Sequence, residues 1–307
     1  MRRTVLILFL LLCLAVPAHA DDPQFDSRPG FVLTGDDNAT DGLRVGVEAG
    51  FISTAAFANG PGGVSVQRTT IHADYSRFTL TYGLSHFTWR HPGEIAFSSS
   101  DTDAPWENLH DVSLQARLVN DTLGKDWHYW LNGHISSSFE SDFPGAVGAG
   151  FDGGVAYDFW GGWMFGVSAK AVALSALRDD LFGDVEFGMV VAASQKTVRD
   201  TLKAFGLMPS LPAGSDKVGF SLYLTGAENT YRLSPDSPVA RNGYLGMRQS
   251  SVGANVSYDL NERWSFHLGP EYTYGRQFIL YDSTGAQSSS HRLDNGWGGR
   301  CGFSYSF

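Results

Sequence analysis

The stretch from Leu293 to Phe307 alternates so regularly that few folds can accept it. Trp297, Gly299, Cys301, Phe303, Tyr305 and Phe307 occupy the odd positions, with Gly298, Arg300, Gly302, Ser304 and Ser306 between them. A strand points successive side chains to opposite faces, so one face here is aromatic and the other small and polar. A sandwich strand in a water-soluble protein alternates in the same way, but rarely with Trp, Phe, Tyr and Phe as its outward set. The pattern fits a strand that meets lipid.

The same alternation recurs along the chain. It appears in Leu43–Phe51, Val64–Tyr75 (with a phase slip near Arg68 that predicts a bulge), Phe78–Leu84, Val112–Leu118, Trp127–Ile135 and Val147–Tyr157. It continues in Trp163–Ala173, Val185–Val191, Val218–Leu224, Val252–Leu260 and Trp264–Tyr274. Pro270 lies inside the last of these and predicts a bulge or an early exit. With the terminal strand the count is twelve. Connections alternate in length: 76–77, 119–126, 159–162 and 261–263 are short, whereas 52–63, 91–107, 227–248 and 277–293 are long. Aromatic residues flank the short ones. These features predict an all-β fold: a transmembrane antiparallel up-and-down β-barrel of about twelve strands, with ten and fourteen as the bounds. Residues 195–216 do not fit the rhythm and read as a short amphipathic helix or an extra strand.

The aromatic terminal strand, with Phe303, Tyr305 and a closing Phe307, resembles the assembly signal of bacterial outer-membrane β-barrels. The 105–111 segment (Pro-Trp-Glu-Asn-Leu-His-Asp), Phe139-Glu140-Ser141-Asp142-Phe143 and Tyr274-Gly275-Arg276 resemble a family of bacterial outer-membrane barrels catalogued as a domain of unknown function. That resemblance implies a fold and a Gram-negative outer-membrane location without an activity. It also implies contact with outer-membrane lipid and lipopolysaccharide, and with the barrel-assembly machinery during insertion.

Residues 1–20 read as a cleaved secretory signal peptide: Arg2 and Arg3, the apolar run Val5–Val16, then Ala18-His19-Ala20. Residues 21–41 read as a polar periplasmic lead-in, and 42–307 as the barrel. Cleavage leaves 307 − 20 = 287 residues, with 22 − 2 = 20 basic against 32 acidic side chains, a net charge of −12. Such a balance argues against nucleic-acid partners. Cys301 is the one cysteine left, which excludes an intrachain disulfide. Nothing in the sequence calls for a cofactor or a metal ion.

Parity along the strands assigns the inner wall Arg44, Glu48, Asp74, Asp111, Arg117, Asp152, Asp158, Lys170, Asp184, Glu186, Lys217, Asp259, Glu271 and Arg300. Nine of these are acidic and five basic. A conducting lumen with that lining predicts a weak cation preference; otherwise the charges pair across the barrel and seal it. His134 and Ser136 share one face of a strand, as a base and a nucleophile would. They resemble the His-x-Ser pair of outer-membrane phospholipases and lipid A deacylases, although Ser137-Ser138 replaces the Asn-Gly that follows there. The same parity puts both in the lumen, as polar lining out of reach of a lipid ester. The sequence therefore points to a non-enzymatic, porin-like channel for small solutes. The alternatives are a closed barrel presenting long loops and, behind it, a lipid-modifying enzyme.

Overall fold

A computed structural model of the chain describes residues 42–58, 62–95, 97, 104–123, 126–143, 145–160, 163–174, 184–194 and 218–307. The expected signal peptide, the lead-in, the 195–216 segment and Lys217 lie outside these residues. The described strands are β1 (Arg44–Ala56), β2 (Gly63–Tyr75), β3 (Phe78–Arg90), β4 (Asn108–Leu123), β5 (Trp127–Phe139), β6 (Ala146–Trp160) and β7 (Trp163–Leu174). They continue with β8 (Asp184–Ser194), β9 (Val218–Arg232), β10 (Tyr244–Asp259), β11 (Trp264–Tyr281), β12 (Gln287–Arg292) and β13 (Gly296–Ser306).

Each of these strands from β1 to β11 pairs antiparallel with the next in sequence, β13 pairs with both β11 and β1, and the sheet closes on itself. The wall has twelve positions, because β12 continues the line of β13 along the upper part of β11, interrupted at 293–295. The seam is well made: β1 and β13 match in register from Arg44↔Ser306 to Ile52↔Gly298.

The outer wall is apolar. Phe51, Ile135, Phe151, Phe187, Leu268 and Trp297, from six strands, are each more than half exposed. A continuous apolar belt of this kind is excluded from water and matches the hydrocarbon of a bilayer. Aromatic rings border the belt at the end of the short turns, where Trp127 lies tilted against Tyr157 (4.7 Å between centroids) and Trp264 against Tyr305 (4.8 Å). At the opposite border Tyr272 meets Trp297 (4.9 Å). Amphipathic rings favour these two levels because one edge stays in hydrocarbon and the polar edge reaches the headgroups. The chain is thus a closed, membrane-spanning barrel.

Several sequence expectations change, some of them on the long-loop side, where 52–63 shrinks to 57–62 because β1 runs to Ala56. The 277–293 stretch is no loop: β11 runs on to Tyr281 and a turn leads into β12. Of 227–248 only 233–243 is connection, because β9 extends to Arg232 and β10 begins at Tyr244. In β2 no slip occurs near Arg68, and the β2–β3 register is unbroken from Gly63 to Tyr75. The apparent slip arises because the inward face itself changes character: Val64 and Val66 join an apolar cluster, whereas His72 and Asp74 face a polar lumen. Pro270 sits in a continuous strand, paired with Gly299, and its missing N–H coincides with a gap in the β10 ladder opposite Ala254 and Asn255.

The ends of β9, β10 and β11 do not stand upright. Arg232 of β9 bridges in parallel to Phe139 of β5, which is four strands away in the wall. The sheet therefore leans across the mouth. One of its faces carries Tyr231, Leu245 and Phe278 into a cluster with Val64, Phe87 and Leu109 of β2, β3 and β4. The other carries Tyr244, Ile279 and Tyr281 against Ala146, Val172 and Leu174 of β6 and β7. Residues of the β3–β4 connection, Ile95, Phe97 and Trp106, complete the first cluster. Trp106 lies against Trp89, Phe278 and Phe97 at 4.9, 5.3 and 5.9 Å between ring centroids. The long-loop mouth is filled by an apolar core.

Candidate functional site

Beneath that core the inward side chains become polar and border one cavity of about 320 Å³. Its composition follows from parity, since residues alternating with lipid-facing Val, Leu and Phe must point into the lumen. Two inward glycines make room for long groups: a Cβ at Gly253 would strike the Tyr223 hydroxyl, and one at Gly302 the His267 ring.

The charged residues are held by contacts to neighbouring strands and over one or more intervening strands of the wall. Arg300 of β13 lies 2.7 Å from Glu271 of β11, its Nη2 also donates to the Tyr223 hydroxyl, and its guanidinium stacks 4.3 Å from the Tyr223 ring centre. His267 Nε2 is 3.1 Å from Glu48 Oε2. Asp152 of β6 accepts hydrogen bonds from Asn132 Nδ2 (2.8 Å) and Gln115 Nε2 (3.0 Å). Asp111 of β4 gathers three strands: Ser138 donates at 2.9 Å, Tyr231 at 3.0 Å, and Arg68 stands 3.6 Å away. These are charge-assisted contacts in a confined space, the setting in which they are strongest.

Arg44, at the short-turn end, donates to Ser304 Oγ (2.8 Å) and borders the same cavity. Lys170 and Glu186 border it from β7 and β8, in register with one another. Asp74 and Arg117 do not border it. Asp74 accepts from Thr79 Oγ1 (2.7 Å) and lies 4.0 Å from His72, and Arg117, opposite Asn132, uses its backbone N–H on Arg77 at the turn end. His134 and Ser136 face the lumen, each 8% exposed, while Ile135 between them is 57% exposed on the lipid side. Neither His134 Nε2 nor Ser136 Oγ has a hydrogen-bond partner, so the two are not joined as base and nucleophile. A third apolar group, Trp130, Ala156, Val190 and Tyr223 with Met164, narrows the β5–β9 side of the lumen nearer the short turns.

No protein-family model matches the chain, and no curated protein sequence matches it. Among solved structures the barrel is similar to an outer-membrane channel from Pseudomonas putida F1, at 12% identity over 94% of this chain and 100% of that one, with a TM-score of 0.44. It is also similar to the NanC porin (11% identity, 86% of this chain and 100% of that one, TM-score 0.43) and to the KdgM porin (8%, 85% and 99%, 0.41).

Arg68, His267 and Tyr231 also line the wall and are absent from the residues that parity assigns to it, whereas Gln115 shares the inward face of its strand with Asp111 as the alternation predicts. Arg68 was hidden by the supposed bulge. His267 and Tyr231 keep strict parity with their neighbours Leu268 and Arg232, and that parity was the signal available for them. Outside the barrel, at the mouth, a groove of about 820 Å³ runs between the start of β4 and the 233–243 connection, bordered by His86, Trp89, Glu107, Glu140 and Asp236.

Proposed function

We propose that the protein is a narrow channel of the Gram-negative outer membrane for small polar solutes, held here with its outer mouth shut. The observation that carries this reading is the continuous charged cavity, which extends from the layer beneath the apolar core down to Arg44 and Ser304 at the short-turn end. A wall built only for mechanical closure has no need of hydrated volume at its centre, and burying ionisable groups is costly unless they are paired or meet water. In this reading the short turns and both chain ends face the periplasm, and the long connections face the outside. The apolar belt meets outer-membrane lipid and lipopolysaccharide, and Phe303, Tyr305 and Phe307 are read by the assembly machinery. The inward orientation of His134 and Ser136, and the absence of a bond between them, weigh against the lipid-modifying reading of that pair.

Single-channel recording on the refolded chain 21–307 tests this. The expected result is discrete openings with a weak cation preference, and Glu48→Gln or Asp152→Asn should lower that preference. A second reading has its own observation: both faces of the leaning sheet are packed, and most lumen charges are paired, which suits a closed barrel that displays its outer surface. A folded barrel that stays silent, also after the mouth is loosened by Trp106→Ala, would overturn the channel and favour that alternative.

A further inference from the structure

The leaning sheet departs from the regular wall at one level on β9 and β11, while β12 stays joined to the end of β1, where Ala58 N–H donates to Arg292 O (3.1 Å). β9 pairs with β8 as far as Val185↔Glu228, and four residues on, at Arg232, it bridges to Phe139 of β5. β11 exchanges partners, from β13 at Thr273↔Gly296 to β12 at Gln277↔Arg292. At the same height β11 carries an extra residue relative to β10, between the pairs Ser250↔Tyr274 and Arg248↔Gln277, with Gly275 in the left-handed region at φ 62°. A bulge of this kind bends its strand and sharpens the local twist, and glycine accepts the positive φ without a Cβ clash. The segments beyond that line are 229–232, 244–248, 276–281 and 287–292.

The far edge of this four-stranded piece touches the opposite wall through few polar contacts. Glu140 N–H donates to Arg232 O (2.9 Å), and Ser234 N–H donates to Glu140 Oε2 (2.7 Å). The Tyr231 hydroxyl donates to Asp111 Oδ2 (3.0 Å), the carboxylate that also holds Ser138 of β5. Among the described residues the piece also packs against β2–β7 through two apolar clusters, and its backbone pairs with the far wall at the bridge Phe139↔Arg232. A bend at one end, a short line of hydrogen bonds at the other and an ionic cavity beneath are the parts of a hinged closure.

We propose that the upper ends of β9, β10, β11 and β12 form a flap that gates the lumen, hinged at Gly275 and latched on β4 and β5 through Tyr231, Arg232 and Ser234. The proposal rests on the channel reading. The two apolar faces make the closed position the resting one, and the latch sets how firmly it is held. In the open position the flap swings away from β5, and Asp111 and Arg68 at the top of the cavity become accessible from outside.

Two measurements on the Cys301→Ser background test it separately from conduction. In the first, spin labels at Ser283→Cys, in the flap turn, and Asp142→Cys, beside the latch, report their separation. Tyr231→Phe keeps the ring in the core, and with Glu140→Ala it removes two latch hydrogen bonds. The expected result is a second, longer distance and about a tenfold rise in the open fraction of single-channel records. In the second, a disulfide between Phe139→Cys and Arg232→Cys, neighbours across the bridge and within disulfide reach, should silence the channel until a reductant is added. An unchanged distance in the latch variant, together with conduction through the disulfide-locked barrel, overturns the gate and leaves the channel standing. A flap that moves above a pore that never conducts overturns the channel reading itself, and the gating role with it.

Discussion

Arg300 shows how much of this lumen rests on single side chains. It is 7% exposed and makes an ion pair with Glu271, a hydrogen bond to Tyr223 and a stacking contact with the same ring. Removing one partner of a buried pair strands the other, at a cost of about 3–5 kcal/mol. Arg300→Ala should therefore lower the denaturant midpoint of the refolded barrel more than Glu271→Gln does, because Gln can still accept the Tyr223 hydroxyl. A variant with both residues made apolar should recover part of the loss. Equal midpoints for Arg300→Ala and the unmodified chain would mean that water replaces the pair. The position of Arg300 was legible, since it alternates with Cys301 and Phe303, whose outward direction the lipid belt dictates. That of Arg68 was not. Alternation reports a face only while that face keeps one polarity, and the inner face of β2 changes from polar at His72 to apolar at Val66.

At the scale of elements the mouth is where sequence reading ended early. The signal for a lipid-facing strand fades as β9, β10 and β11 leave the bilayer, and their upper ends are buried on both faces, which erases the alternation. What remained, Ser283-Thr284-Gly285 and the serines after it, looks like loop. The turn from β11 to β12 is organised by Asp282, whose carboxylate accepts the Thr284 hydroxyl (2.6 Å) and the N–H groups of Thr284 (2.7 Å) and Ala286 (3.1 Å). The Thr284 hydroxyl and then these amides hold its pKa below the ordinary carboxylate value. A lowered acid pKa means that the turn gains stability above the unfolded value and loses it as pH falls through the folded one. Protection of the Thr284 and Ala286 amides, taken as exchange relative to the intrinsic rate at each pH, should accordingly be higher at neutral pH and fall on acidification, and Asp282→Asn should remove the carboxylate's share of that dependence. His291 adds to it in the same direction. Burial against Phe97, 4.5 Å away, lowers its pKa, so its neutral form favours the fold and acidification below about 6.5 weakens the packing. In the first cluster, Trp106→Ala should cost about 3–5 kcal/mol of local order. Proteolysis within the β3–β4 connection would report it as faster cutting, with the barrel below still intact.

For the molecule as a whole, the decisive property is that its largest exposed apolar surface is on the outside and its charges are within. That inversion was legible from the terminal strand alone, because Trp297, Phe303 and Phe307 share one parity; closure, by contrast, is carried by backbone register between β1 and β13, to which side-chain pattern contributes little. Leu268 tests the inversion directly. It is 67% exposed on β11, midway between the rings of Trp264 and Tyr272 that border the belt, and its neighbour His267 points inward to Glu48. An arginine there would sit at the bilayer midplane, where it costs about 2–4 kcal/mol. On a water-facing sheet the same change falls within about 0.5 kcal/mol. Folding of Leu268→Arg into lipid vesicles, titrated with urea beside the unmodified chain, should show the larger loss. The same substitution at the turn-end residue Leu260, also exposed, should cost about 0–1 kcal/mol, because an interfacial arginine reaches water. Two equal and negligible effects would mean that no bilayer surrounds the belt, and every assignment of inside and outside made from it would have to be reversed.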